Sequence, residues 1–255
     1  FPNAGGVGRI TETLSKKFIE KGNRIFYVAL CKGSPFNHQG VIQHFAPSDK
    51  VYSLKNIKFL EDFLDSNSID VIINQGGSKT SILNTIRKAN TKKAKVFTVH
   101  HNCIKCLQDS YKYIIKDKLK KYKLWWAFNN TVGLSLLKKY SRIKQGNNFR
   151  KVIKYSDKLV LYFEIFISEL KIFVKYFPPE KVIAIPNPAP FDAFPDALYT
   201  KENRLLFVGR INYQQKRADL LLDIWAKIFE KFPEWHLDVV GYGPQLNNLK
   251  RKSSD

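Results

Sequence analysis

Two cations near the end of the chain are the residues best placed to do chemistry. Arg210 ends the run Phe207-Val208-Gly209-Arg210, and Lys216 opens the run Lys216-Arg217-Ala218-Asp219-Leu220-Leu221-Leu222. The apolar run before Arg210 predicts a strand over 204–208. The spacing of Leu220, Leu221, Ile224, Trp225, Ile228 and Phe232 predicts a helix over 216–231. A strand, a loop and a helix in that order bring both cations to the carboxyl end of a sheet, where open α/β folds bind ligands. There a planar Arg fork and a Lys point charge suit a diphosphate. Taken singly, each also fits a solvated surface cation.

Three further clusters carry chemical possibilities. Asn3-Ala4-Gly5-Gly6-Val7-Gly8-Arg9 is a glycine loop opening a helix over 10–21. Glycines admit close approach of backbone amides, and a helix amino end favours a phosphate. A tight strand–helix turn explains the same residues. The spacing is not G-x-G-x-x-G, and no acidic residue ends the next strand, which argues against a nicotinamide-dependent oxidoreductase. His100-His101-Asn102-Cys103-Ile104-Lys105-Cys106 brings together zinc-ligand types but lacks the long spacer between ligand pairs, so no metal is expected. Lysines mixed with Trp125, Trp126 and Tyr140 over 111–140 suit a membrane–water interface, or equally a packed helix with a basic outer face.

Composition bounds these readings. The chain has 255 residues, 44% of them hydrophobic, enough for one large domain or two smaller ones. Its formal net charge is +21, from 43 Lys+Arg against 22 Asp+Glu. Scattered lysines argue against a dedicated nucleic-acid patch, so no nucleic acid is expected, and an anionic membrane surface is a candidate partner. A non-catalytic basic module, binding membrane or nucleic acid, is the competing function class. Three cysteines make no disulfide framework at this length and fit a reducing cytoplasm. No apolar run reaches the roughly 18 residues that span a bilayer.

The elements that must position these residues alternate. Strands are expected over 24–30, 70–74, 94–100, 158–163 and 181–185, with helices over 55–64, 81–89, 109–143 and 164–176. This order implies a mainly parallel sheet. Pro186-Asn187-Pro188-Ala189-Pro190 cannot join a helix, which sets a domain boundary between 1–190 and 191–255. The second half repeats the pattern over 204–240. Because the glycine loop comes before any strand and methionine is absent, a first strand is expected ahead of Phe1.

FVGRINYQQKRADLLLDIW, followed by WHLDVVGYGP, closely resembles the start of the carboxyl-terminal domain of the retaining glycosyltransferases of family 4. NAGGVGRI resembles that family's amino-terminal glycine loop, and IPNP at Ile185–Pro188 its interdomain segment. The matches fall in the family's order; residues from about 30 to 180 add little beyond their strand pattern. The resemblance implies an α/β chain of GT-B type, with two Rossmann-like domains, parallel sheets and a cleft between them, the second domain cut short. It implies transfer of a sugar from a nucleotide-diphosphate donor, with retention, to a glycan or lipid-linked acceptor of the bacterial surface-polysaccharide kind. The implied location is the cytoplasm, peripheral on the inner face of the plasma membrane.

The resemblance also assigns residues. Arg210 and Lys216 match the diphosphate-binding pair, and together with His101 they form the expected catalytic set. Gly5, Gly6, Gly209, Gly241 and Gly243 join that pair on the donor side. His100, Asn102 and Asn187 are acceptor-side candidates, and the choice between His100 and His101 leans to His101. No metal or other cofactor is expected, because the two cations do a metal's work on the leaving diphosphate. The family's donor-contacting glutamate pair lies beyond the stretch that the chain matches.

Overall fold

The computed structural model describes residues 6–33, 37–38, 40–105, 119, 131–188, 202–212 and 216–253. The chain divides into two compact units, Phe1–Asp192 and Ala193–Asp255. Each is an α/β layer built on parallel strands, as expected of Rossmann-like domains, with one antiparallel exception.

The first unit runs α1 (Gly6–Glu20), β1 (Tyr27–Ala29), β2 (Asn37–His38), β3 (Val41–Phe45), α2 (Leu54–Ser66), β4 (Val71–Asn74) and α3 (Thr80–Ala89). It continues through β5 (Lys95–Val99), α4 (Thr131–Tyr155), β6 (Lys158–Leu161), α5 (Glu164–Leu170), a 3-10 turn at Pro179–Lys181 and β7 (Val182–Ala184). Strands β4, β5, β6 and β7 pair in that order, all parallel. Consecutive pairing follows from helical crossovers, which return the chain beside the strand it left. Asn74 lies opposite Thr98, Val99 opposite Val160, and Leu161 opposite Ala184. The segments after these strands therefore emerge along one edge. A smaller sheet pairs β1 parallel and β2 antiparallel with β3. A largely apolar cavity of about 760 Å³ is lined by α1, by β1 and by β4 through to Gly76.

Helix α4 shows why the elements pack as they do. Ser141, Gln145, Phe149, Val152 and Ser156 recur at helical spacing and are buried. Phe149 and Val152 join Leu83, Leu159, Leu161 and Leu170 in the main core. A second cluster on the same sheet face joins Leu60 and Leu64 of α2 and Ile86 and Ala89 of α3 to Val96, which alternation along β5 places on the side of Thr98 and its partner Leu159. Among the buried polar side chains Asn56, Asn74, Thr85, Thr98 and Ser156 are hydrogen-bonded, whereas Gln43 Oε1 and Ser141 Oγ have no partner among the described residues. Asn56, fully buried, accepts from the Ser48 amide at 2.9 Å and donates to the carbonyls of Ser48, Lys50 and Val51. One side chain thus fastens the loop after β3 to the first turn of α2, which Ser53 caps.

His100 is a different case. It is 3% exposed, lies edge-on to Phe149 with ring centroids 5.2 Å apart, and neither ring nitrogen has a partner among the described residues. Burial, aided by the neighbouring His101, lowers its pKa to about 4, so the ring sits neutral in the core.

The second unit comprises β8 (Arg204–Val208), α6 (Ala218–Trp225), a 3-10 turn at Phe229–Lys231, β9 (His236–Val240) and α7 (Leu246–Lys252). β8 and β9 pair parallel from Arg204↔His236 to Val208↔Val240. Ile211, Ala218 and Leu249 form its buried centre.

Several sequence expectations change. The helix expected over 216–231 spans only Ala218–Trp225, because Arg217 takes a left-handed conformation (φ 49°) at its start and a 3-10 turn replaces its end. The helix expected to reach 176 ends at Leu170, where three-residue turns carry Phe173 and Val174 into the core. β2, β3 and α7 have no counterpart among the expected elements. The helix expected over 109–143 lies mostly outside the described residues, and α4 runs on to Tyr155.

Two outcomes test this packing. Asn56→Ala strands the loop carbonyls and is expected to lower unfolding free energy by about 2–4 kcal/mol in urea titration. His100 has a folded pKa below its unfolded value, so the unfolded chain binds more protons between them. Its contribution to stability is intact above about pH 6.5 and is lost as pH falls through about 4. Denaturant titrations should give a wild-type slope in that window steeper than that of His100→Leu, by up to ~1.4 kcal/mol per pH unit.

Candidate functional site

In the first unit the four parallel strands end in a row of polar side chains. Gln75 follows β4, His101 follows β5, Tyr162 follows β6 and Asn187 follows β7. His101 Nε2 lies 2.6 Å from Gln75 Oε1, and His101 Nδ1 meets the Tyr162 hydroxyl, the rings standing edge to face. Tyr162 is also hydrogen-bonded to the Asn187 side chain. Burial holds His101 below the usual histidine range, so it is neutral near pH 7. Burial raises the Tyr162 pKa, opposed by the hydrogen bond from Asn187.

These facts fix the proton order. A neutral imidazole carries one N–H, and the Gln75 carbonyl oxygen only accepts, so the proton is on Nε2. Nδ1 then accepts from the Tyr162 O–H, and the Tyr162 oxygen accepts from the Asn187 amide. The row is a continuous chain of neutral donors and acceptors from β7 to β4.

Behind it, Asn74 donates to the Thr98 hydroxyl at 3.2 Å, and the Thr98 and Ser156 hydroxyls lie 2.7 Å apart. Asn74 also accepts from the Gly76 amide at 2.9 Å. Gly77 has φ +60°, and a Cβ there would stand 3.2 Å from His100 Nδ1, so the Gln75-Gly76-Gly77 turn sits directly over the buried histidine.

The structure therefore separates the two histidines. His101 stands in the strand-end row with both ring nitrogens engaged. His100, an acceptor-side candidate by sequence, is turned into the core and does not join the strand-end row, because its ring fills the space beneath the Gly77 turn. Asn102 is exposed at the same edge, as is Asn187. Gly6 is the first residue of α1, exposed, with open space where a Cβ would be. Gly5, Cys106 and nearly all of 106–130 lie outside the described residues. Cys103 is disulfide-bonded and so offers no thiolate. Among the described residues no three His, Cys, Asp or Glu side chains come together as a metal site.

In the second unit the loops after β8 and β9 pack backbone to backbone. The Gly209 amide donates to the Val240 carbonyl at 3.0 Å, and the Ile211 amide to the Tyr242 carbonyl at 2.8 Å. A Cβ on Gly241 would collide with the Gly209 carbonyl, and one on Gly243 with the Ile211 backbone. Close approach is thus the observed reason for both glycines. A Cβ on Gly209 would touch the Phe207 ring at 3.3 Å and Lys216 Cγ at 3.7 Å, so the Lys216 stem lies across Gly209. Arg210 and Lys216 are exposed, with Arg210 next to that contact. The adjacent Arg217 is committed to Asp219 through Nε at 3.1 Å and a terminal nitrogen at 3.0 Å, which holds Asp219 below the usual carboxylate range. The loop therefore presents Arg210 and Lys216 and withholds Arg217.

Gln75 and Tyr162 are absent from the residues singled out by sequence. The signal existed: Tyr162 directly follows the apolar run Leu159–Leu161, and Gln75 follows the run Val71–Ile73 after one further polar residue, Asn74.

Residues 190–255 match the model of the family described as glycosyl transferases group 1. An uncharacterized glycosyltransferase of Haemophilus influenzae is 30% identical over 94 residues, which is 37% of this chain and 26% of that protein. A crystal structure of an S. aureus TarM mutant in complex with fondaparinux, α-GlcNAc-glycerol and UDP is similar at TM-score 0.45 and 15% identity, over 80% of this chain and 36% of that one. The chain thus spans 26% of the curated relative and 36% of the solved chain. Residues 190–255, which include the whole second unit, carry the group 1 glycosyl transferase sequence pattern.

Proposed function

We propose that the chain is part of an enzyme that transfers a sugar from a nucleotide-diphosphate donor to a hydroxyl of a glycan or lipid-linked acceptor, with retention at the anomeric carbon. One observation carries this reading: the segment that matches group 1 glycosyl transferases folds so that Arg210 and Lys216 flank Gly209 at the carboxyl end of β8.

The second unit is the donor side. As the bond from anomeric carbon to phosphate oxygen breaks, negative charge grows on the departing diphosphate. Arg210 and Lys216 offset that charge from fixed positions, and preorganised charge of this kind is commonly the largest catalytic term. The leaving phosphate takes the acceptor's proton. No metal is required, since the side-chain cations supply the positive charge. The first unit is the acceptor side, with the strand-end row as its binding edge and Gly6 leaving room at the amino end of α1.

The first unit is also the membrane-facing one in this reading. Val132 (70% exposed), Leu136 (57%), Tyr140 (54%) and Ile143 (54%) repeat along one outer stripe of α4, opposite its buried face. Lys139 and Lys144 flank the stripe, and Arg150, Lys151 and Lys154 continue it. Apolar residues with a basic surround suit the surface of an anionic leaflet bearing a lipid-linked acceptor. No helix among the described residues is long and apolar enough to cross a membrane.

Three measurements test the proposal. In a thermal-shift screen of UDP, GDP and ADP, at least one should raise Tm, by an amount equivalent to ~2.7 kcal/mol at about 100-fold over its Kd. Arg210→Ala and Lys216→Ala should each abolish that rise. No rise with any nucleotide would remove the donor site. In the intact-length enzyme, Arg210→Ala should cost on the order of 2–3 kcal/mol in kcat/KM. Vesicles containing phosphatidylglycerol should sediment the protein in a salt-sensitive manner while neutral phosphatidylcholine vesicles do not, and Leu136→Ser/Tyr140→Ser should weaken that binding. Equal binding to both vesicle types would overturn the membrane-facing role.

A further inference from the structure

The strand-end row of the first unit also specifies the chemistry of its ligand, an inference that rests on the acceptor-side reading of that unit. Both His101 nitrogens are consumed within the row, one by Gln75 and one by Tyr162. The imidazole is therefore a spacer between β4 and β6, and a ligand meets the two ends of the row. At one end Gln75 keeps its amide N–H groups, and its side of the turn lines the 760 Å³ cavity. At the other end Asn187 is exposed and keeps its amide oxygen while its N–H bonds Tyr162.

The row also carries no formal charge near neutral pH. Gln75 and Asn187 cannot ionise, His101 is neutral and Tyr162 is protonated. A phosphate or carboxylate would find dipoles there but no counter-charge, whereas a polyol would find a donor at one end and an acceptor at the other. Cations for an anionic ligand stand instead in the second unit, on Arg210 and Lys216.

We propose that the row Gln75–His101–Tyr162–Asn187 is a binding edge for a neutral, hydroxyl-rich sugar, contacted through Gln75 and Asn187, and that Tyr162 is a positioning residue that fixes His101 in its Nε2–H tautomer. Tyr162 does this by donating to Nδ1, which leaves Nε2 to carry the proton toward Gln75. Rotation of the imidazole would break both bonds together, so the ends of β4 and β6 are held at a set spacing. Asn187 extends the lock to the segment after β7.

The test is made on the full chain by imidazole ¹⁵N spectroscopy at neutral pH. Wild type should show a single neutral Nε2–H tautomer for His101. Tyr162→Phe removes one hydroxyl and should give averaged shifts at both ring nitrogens. Gln75→Leu should do the same from the other side, so the result does not depend on one variant folding. A tautomer unchanged in both variants overturns the positioning role. For the binding edge, methyl α-glucoside is the neutral probe and glucose 1-phosphate the charged one. The side-chain amide signals of Gln75 and Asn187 should shift with the glycoside, and the Tyr162→Phe variant should respond several-fold more weakly. No shift with the glycoside, or a larger one with the phosphate at these two amides, overturns the neutral-sugar assignment. Nucleotide binding is read separately at Arg210 and Lys216: its loss would sink the transfer reaction and leave the His101 tautomer where it is.

Discussion

The parallel ladder is the constraint on which the rest depends. Four strands hydrogen-bonded in sequence order, each in register with the next, have their carboxyl ends on one line. A single polar residue placed after each strand then becomes a neighbour of the others without any further device. Gln75 and His101 are 26 residues apart and His101 and Tyr162 are 61 apart, yet with Asn187 they form one chain of hydrogen bonds. In the second unit the same logic acts on β8 and β9, whose following loops meet backbone to backbone through Gly241 and Gly243.

The two units divide their chemistry by charge. The described edge of the first carries neutral dipoles around a histidine whose proton affinity burial has reduced. The loop of the second carries exposed cations, with the neighbouring Arg217 held back by Asp219. The transfer proposed above, which expels a diphosphate and engages a hydroxyl, would use both kinds of surface. The net charge of +21 is thus poor evidence for the site by itself, since lysines and arginines are scattered along the whole chain. What distinguishes Arg210 and Lys216 is the strand end they follow and the glycine they flank.

The two adjacent histidines show how much one residue step decides. Residue orientation alternates along a strand and changes again as the strand ends. His100, whose amide still bonds to the Val160 carbonyl, points into the core against Phe149. His101, one residue on, turns to the edge. Burial lowers the proton affinity of both, so a lowered value alone would not tell the strand-end residue from the packing residue. Hydrogen-bond partners do.

Sequence alone determined the strand–helix alternation, the parallel class of the main sheet, and β8 and β9 to the residue, because each rests on local periodicity or on neighbouring residues. It also carried a resemblance to glycosyltransferases, and residues 190–255 match the group 1 glycosyl transferase pattern. It missed the β2–β3 pairing, whose strands are short and whose partner is found only in space, and it overextended the helices over 164–176 and 216–231, where core contacts and a left-handed Arg217 override periodicity. Tertiary structure alone decided that His101 rather than His100 belongs to the strand-end row, that Tyr162 and Gln75 accompany it, and that Gly241 and Gly243 serve close packing. Each of those is a contact between residues far apart in the chain or a direction of a side chain, and neither is encoded in spacing along the sequence.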